Sequence, residues 1–404
     1  TRNRVSSRFE ANFPAQSEPE EGQRWTEIWR NLRDGRQDIE TRQELPDGHP
    51  LAVFIHRLER VALSQRANQR LNRFMPGLLE RLEEREADTN TLNRVFDLVL
   101  AICRRSAYLV LLVQYPKALE RMLDLFASSE WVADKVIRFP ALLDELIDPA
   151  LGRQLPVGEE LENSVDRILL TTEGAEATLE GLNYLKLASE LRVAVGQLQG
   201  GLKGQEAMSI LSGLAAALLR GVLVVAGREI EARHGCFPST DRRGDQRLHG
   251  LGSMAIIGYG TLGAEELAYG SDLDIVFLFE PTGKQSDGKR PLPPEQYYAR
   301  LAQRVLSFLT VMTPSGRLYE VDTRLRPNGR AGSLVSSIAA FGAYQLEQAW
   351  TWELQALTRA RFIAGSPALE AHFNRIRQEA LCLDRDEDEL LSLIHISEPT
   401  RQLM

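Results

Sequence analysis

The sequence predicts an α+β protein, with a mostly helical N-terminal region followed by a small α/β domain and trailing helices. Three observations predict it. From about residue 49 to 235, apolar side chains recur at three- and four-residue steps, the spacing of one helix face. Two short apolar runs, 254–257 and 274–280, then flank a glycine-rich turn as strands would. Beyond them, helical and alternating patterns follow each other over short distances, as in compact α/β units.

Residues 1–48 are polar, carry the acidic run Glu18-Pro19-Glu20-Glu21, and read as a partly disordered linker with one short helix around Trp25 to Leu32. Residues 49–240 form the helical domain. Leu71, Phe74, Leu78, Leu79 and Leu82 lie on one helical stripe, and Leu92, Val95, Leu98, Val99 and Ile102 on another. Proline places breaks near Pro76, Pro116, Pro140, Pro149 and Pro156. Ser164 to Val195 and Ala207 to Ala232 read as long helices, with Gly174 and Gly181 weakening the first. Residues 241–388 form the α/β domain. After the second strand, 281–294 is a loop and Glu295 to Met312 an amphipathic helix. Arg317 to Arg326 alternates as a strand until Pro327-Asn328-Gly329 stops it. Ala339 to Ile363 reads as one helix whose aromatic residues Tyr344, Trp350 and Trp352 pack the core.

Bulk properties narrow the function. A formal net charge of −8 gives no chain-wide grip on a nucleic-acid backbone. Cys103, Cys236 and Cys382 lie too far apart for a zinc pattern or a disulfide framework, which fits a reducing cytoplasm. The six histidines have no partners at metal-ligand spacing and complete no Ser/His/Asp set. The longest apolar stretch, Leu214 to Ala226, is interrupted by Arg220 and is short for a bilayer, so no membrane partner is expected. The chain begins at Thr1, which points to a fragment.

The chemistry concentrates at 258–274. Gly258-Tyr259-Gly260-Thr261-Leu262-Gly263 follows an apolar run, and glycines let backbone N–H groups approach an anion such as a phosphate. Asp272 and Asp274 stand two apart at the start of the next run, so a strand aims both carboxylates to one face. Such a pair invites a divalent cation. A dinucleotide fingerprint would need an acid about 20 residues on, after a full helix and strand. Here the acids follow Gly263 by only 9 and 11 positions, which disfavours NAD or FAD. Downstream, Asp322 shares a predicted strand face with Arg324 and Arg326, a combination suited to metal and phosphate. A solvated face with ordinary ion pairs, each worth roughly 0–1 kcal/mol, is the alternative.

These residues resemble the polymerase β-type nucleotidyltransferases. More narrowly, they resemble the bacterial glutamine synthetase adenylyltransferases, which attach and remove AMP through two similar halves. The resemblance rests on 258–267 with Ser271-Asp272-Leu273-Asp274, on Tyr319-Glu320-Val321-Asp322-Thr323-Arg324-Leu325-Arg326-Pro327, and on Leu334-Val335-Ser336-Ser337. Ala349-Trp350-Thr351-Trp352-Glu353 through Arg359-Ala360-Arg361 extends it and is similar to the C-terminal, adenylylating half. Arg104 to Leu109 and Leu142 to Leu146 belong to the same likeness, which spans roughly 60 to 385. It implies a catalytic and metal-binding set of Asp272, Asp274 and Asp322, with nucleotide contacts at Gly258, Gly260, Ser271, Arg324 and Arg326. It implies ATP as substrate, two Mg²⁺ ions and in-line attack at the α-phosphate by a tyrosine hydroxyl of glutamine synthetase. A PII-type signalling protein and glutamine are the implied regulators.

The chain departs from the family pattern at three places. Thr261 stands where a lysine is usual, Ala264 where glycine is common, and Leu354 where histidine is common. Residues 389–404 read as a non-native tail, because Leu391 to Arg401 resembles a translated sequencing adapter. Two other readings share the same acids: a nucleotidyltransferase acting on RNA or a small molecule, and an inactive helical interaction fragment.

Overall fold

The computed structural model describes residues 23–33, 48–155, 157–237, 253–281 and 283–383. The expected tail at 389–404 and the expected boundary at 240/241 lie outside them. The chain divides into two compact units, residues 1–151 and 152–404.

In the first unit the described residues are helical. The elements are α1 (Gln23–Arg33), α2 (Pro50–Glu59), α3 (Gln65–Glu84), α4 (Thr89–Ile102), α5 (Ala107–Gln114), α6 (Pro116–Ser128) and α7 (Glu130–Arg138), closed by a 3₁₀ stretch, Pro140–Ile147. The short helix expected near Trp25 forms as α1. Trp29 is buried, donates Nε1–H to Asn72 Oδ1 at 3.0 Å, and stacks on Phe54, which stacks in turn on Phe96. Side chains cap several helices: Ser64, Asp88 and Ser129 each accept from a backbone N–H in the first turn that follows. Pro116 and Pro140 open their elements as expected, but Pro76 does not break α3. An interior proline costs about 3 kcal/mol. Here Phe74, Met75, Pro76, Leu78 and Leu79 are all buried, and that packing outweighs the lost bond.

The second unit opens with α8 (Gly158–Thr171), α9 (Ala175–Leu198) and α10 (Gly204–His234). The single helix expected over 164–195 is divided at Thr172–Gly174, the weak point its glycine marked. By length and composition α10 could cross a membrane, yet its apolar window is 78% buried within the protein. It is a core helix, and Arg220, in its middle, reaches Asp166 Oδ1 at 2.9 Å.

The mixed sheet follows. Its strands are β1 (Met254–Gly258), β2 (Leu273–Phe279), β3 (Val321–Asp322), β4 (Val335–Ser337) and β5 (Arg361–Gly365). β1 lies between antiparallel neighbours β2 and β5, while β3 and β4 both run parallel to β2. Connecting helices are α11 (Gly260–Gly263), α12 (Pro294–Thr310), α13 (Ile338–Glu347), α14 (Thr351–Thr358) and α15 (Pro367–Leu381). Both faces of the sheet are covered. Met254, Ile256, Ile275 and Phe277 enter one core with α10 and α12, while Ala255, Ile257, Val276 and Leu278 enter another with α13 and α15. Burial on both sides explains why β1 and β2 read as continuous apolar runs.

Two expectations fail here for physical reasons. Ala339 to Ile363 is two helices and a strand rather than one helix. Glu353 accepts from the N–H of Trp350 at 2.9 Å and so starts a new helix. Tyr344 is buried as expected, but Trp350 and Trp352 are 68% and 51% exposed, not core. The strand expected over 317–326 shrinks to Val321–Asp322, because Asp322 Oδ1 accepts from the N–H of Arg324 at 2.8 Å and turns the chain.

Tyr298 on α12 is sandwiched by Phe279 and Phe237, and its hydroxyl accepts from the N–H of Ser253 at 3.0 Å, just ahead of β1. Tyr298→Phe keeps the stack and strands that donor, so chemical denaturation should show a loss of about 1–2 kcal/mol.

Candidate active site

Three segments meet at one end of the sheet. β1 runs into Tyr259, whose N–H donates to the carbonyl of Asp274 at 2.8 Å, so the glycine turn is bonded directly to the acid-bearing strand. Gly260 has φ +54°, in the left-handed region that favours glycine. A Cβ there would collide with the Asp274 carboxylate. The glycine thus serves first to admit that carboxylate against the backbone. Gly263 is equally constrained, since a Cβ would strike the carbonyl of Arg359 and come within 2.6 Å of the Gly258 carbonyl.

The parallel pairing of β2 with β3 sets Asp274 opposite Asp322, and Leu273 donates to the Glu320 carbonyl at 2.9 Å. Asp272 immediately precedes the strand, is exposed, and acts on Asp274 through its charge. Asp274 is half-buried, and its pKa is raised above the ordinary carboxylate range. Burial is the largest cause, followed by the negative charges of Asp272 and Asp322, with Arg324 opposing. The structure therefore brings together the three carboxylates that the sequence singled out.

Arg324 joins them. Its Nε–H donates to Asp322 Oδ2 at 2.6 Å and its Nη2 pairs with the same oxygen. Its pKa is raised chiefly by that hydrogen bond and the Asp322 charge, with Asp274 and Asp272 adding to it. Arg326 turns elsewhere. It donates to the carbonyl and hydroxyl of Thr323 at 2.7 and 3.0 Å and to the Gly332 carbonyl, bracing the 323–332 turn. Ser271 lies in the turn that precedes Asp272 and is partly exposed. Gly258 ends β1 against the Ile363 side chain.

Sequence reasoning missed how the glycine turn is held from behind. Arg361 on β5 donates to the carbonyls of Leu262 and Gly263 and pairs with Glu265 at 3.2 Å, while Arg359 pairs with Glu266. Tyr259 is buried under α13 to α15, and its pKa is raised by burial and by the charge of Glu353, with Arg377 opposing. The only sequence signal for this clamp was the Arg359-Ala360-Arg361 pattern itself.

The donor set is all oxygen, which suits a hard divalent cation. As they stand, no three His, Cys, Asp or Glu side chains among the described residues come close enough to hold a metal ion, and Asp322 is engaged by Arg324. Asp272 and Asp274 fit such an ion, since burial first and then the neighbouring carboxylate charges disfavour a bare carboxylate at Asp274, and a cation would offset both.

A glycine turn, an acidic cluster and an arginine at the end of a mixed sheet thus define an α+β protein with an acidic site. The chain belongs to the glutamate-ammonia ligase adenylyltransferase family, whose model matches residues 119–376. It is 40% identical over 380 residues to the bifunctional glutamine synthetase adenylyltransferase/adenylyl-removing enzyme of Pseudomonas syringae pv. tomato, covering 91% of this chain and 38% of that protein. The same-named enzymes of Stenotrophomonas maltophilia K279a and Nitrosococcus oceani are 42% and 43% identical, over 80% and 81% of this chain and 34% of each relative. The chain spans little more than a third of the length of the relatives it matches.

A raised carboxyl pKa means that the folded state favours the protonated form. The stability this contributes is full below the unfolded-state pKa and is lost as pH rises through the higher folded-state value. Asp274→Asn should therefore raise Tm relative to the parent chain at pH 7 in chelator, with the gain fading as pH falls into the ordinary carboxylate range. Thermal scans across pH check both the sign and the window.

Proposed function

We propose that this chain carries an adenylyl-transferring centre, moving AMP from ATP to a tyrosine hydroxyl of glutamine synthetase. The observation that carries the proposal is the convergence of Asp272, Asp274 and Asp322 beside Gly260. Membership of the family and the names of its relatives supply the substrate. The likeness of Ala349 to Glu353 to the C-terminal half of the family favours transfer over removal.

The hydroxyl oxygen forms a bond to the α-phosphorus and releases its proton to solvent as the bond to pyrophosphate breaks in line, pyrophosphate leaving with the bonding electron pair. The chain's own contribution is to position groups and stabilise charge. Asp272 and Asp274 would hold Mg²⁺, with Asp322 joining as Arg324 exchanges it for a phosphate. When bound, the metal supplies positive charge against the triphosphate and the carboxylates. Arg324 suits that exchange because its guanidinium stays charged and presents paired donors to phosphate as readily as to carboxylate. Arg326 keeps the 323–332 turn in shape behind it. Thr261 leaves the turn without the family's lysine charge, so more of the triphosphate's charge falls to Arg324. A PII-type protein and glutamine are the regulators that this reading implies, and the formal charge of −8 speaks against a nucleic-acid acceptor.

The chain should be incubated with labelled ATP, Mg²⁺ and either glutamine synthetase or RNA. Label on glutamine synthetase is expected; label on RNA, or on neither, refutes the reading. Asp272→Asn should abolish transfer with an unchanged circular-dichroism spectrum. Arg324→Ala removes a charged partner of the triphosphate, so the KM for ATP should rise about ten-fold or more.

A further inference from the structure

Behind the site, α9 carries charges that the proposed chemistry does not use. Lys186 and Glu190 form an ion pair at 2.7 Å with side chains only 10% and 5% exposed. The Lys186 ammonium sits 4.8 Å from the ring centre of Tyr319, which is itself buried. Burial first, and then the Glu190 charge, raise the pKa of both Tyr319 and Tyr269. The Tyr269 hydroxyl also donates to Gln197 Oε1 on the same helix at 2.8 Å. Ser315 Oγ donates to Glu180, nearer the start of α9, at 2.6 Å.

The two tyrosines stand at matching places. Tyr319 lies three residues before Asp322, and Tyr269 three residues before Asp272. Between Tyr319 and Asp322, Glu320 accepts from Leu273, the bond beside the Asp274–Asp322 rung. One helix thus grips both segments that deliver acids to the site.

Stability alone does not explain a buried pair. Exchanging such a pair for apolar groups of similar volume is often neutral or stabilising. We propose that Lys186 and Glu190 are positioning residues, whose ion pair fixes Tyr319 and, by holding α9 in place with its Gln197 contact, Tyr269, and through them the register of Asp322 and Asp272. The idea rests on the site proposed above, but its main readout needs no transfer activity.

The test is the Lys186→Met/Glu190→Leu double variant in the full chain. Its Tm should match or exceed that of the parent. Amide exchange over 269–274 and 319–322 should quicken about ten-fold or more while 254–258 keeps its protection. The kcat for AMP transfer should fall about 10–100-fold, with KM for ATP little changed. Parental exchange in both segments would overturn the proposal, as would protection lost evenly across the sheet with a lower Tm. Should the double variant not fold, Tyr319→Leu keeps the ion pair and removes the ring beneath it. The same local signature is then expected, and its absence is equally decisive. If the parent chain transfers no label, the adenylylation reading fails and the exchange data still decide this one.

Discussion

Three carboxylates gathered at one partly buried spot repel one another, and everything around this site works against that repulsion. The pKa of Asp274 is raised by burial first and then by its two neighbours. Left free, the three segments would separate. They are held by backbone bonds that cannot relax without breaking the sheet: Tyr259 to Asp274 on one side, and Leu273 to Glu320 beside the β2–β3 rung on the other. Among the described residues, Arg324 offsets the cluster through its pairing with Asp322.

The surrounding architecture follows from the need to keep those bonds rigid. A sheet edge with one wet face could breathe, but β1 and β2 are buried on both faces by two separate cores. The core of α10 and α12 fixes the strands from one side. The core of α13 to α15 fixes Tyr259, and with it the glycine turn, from the other. Arg361 and Arg359 then clamp the far end of that turn through its carbonyls and through Glu265 and Glu266. The turn needs a left-handed backbone at Gly260, with φ +54°, and it needs space. Its glycines are there because Asp274 and the Arg359 carbonyl occupy the space a side chain would take.

What was legible in the sequence was whatever has a short-range cause. The apolar stripes of α3 and α4, the two strands about the glycine turn and the two-apart aspartates each follow from local periodicity, and each is found. What was not legible depended on a partner distant in sequence or on a single hydrogen bond. Pro76 stays in its helix because tertiary packing outweighs its local penalty. Alternation from Arg317 to Arg326 promised a strand, but the Asp322 side chain captures the Arg324 N–H and bends the chain instead. Arg324 therefore reaches Asp322 by a turn, not by the shared strand face expected, while Arg326 goes to the loop. Trp350 and Trp352 misled for a related reason. Aromatic content says nothing of which side of a helix start faces water, and the Glu353 cap leaves both rings largely exposed.

The buried polar side chains of α9 show why the site cannot be understood from its first contacts alone. A helix that served only to fill the core would carry leucine at positions 186 and 190. Instead it carries two opposite charges with little access to water, one of them over Tyr319, on the helix that also holds Tyr269 through Gln197. Apolar packing is tolerant of small slips, because many arrangements of similar contacts have similar energy. A buried charge pair is not tolerant, because displacing either partner leaves an unpaired charge in a poorly polarisable interior. That asymmetry turns an ion pair of little net stability into a stringent spacer. A cluster of carboxylates, whose electrostatic energy changes steeply with distance, is where such a spacer has most effect.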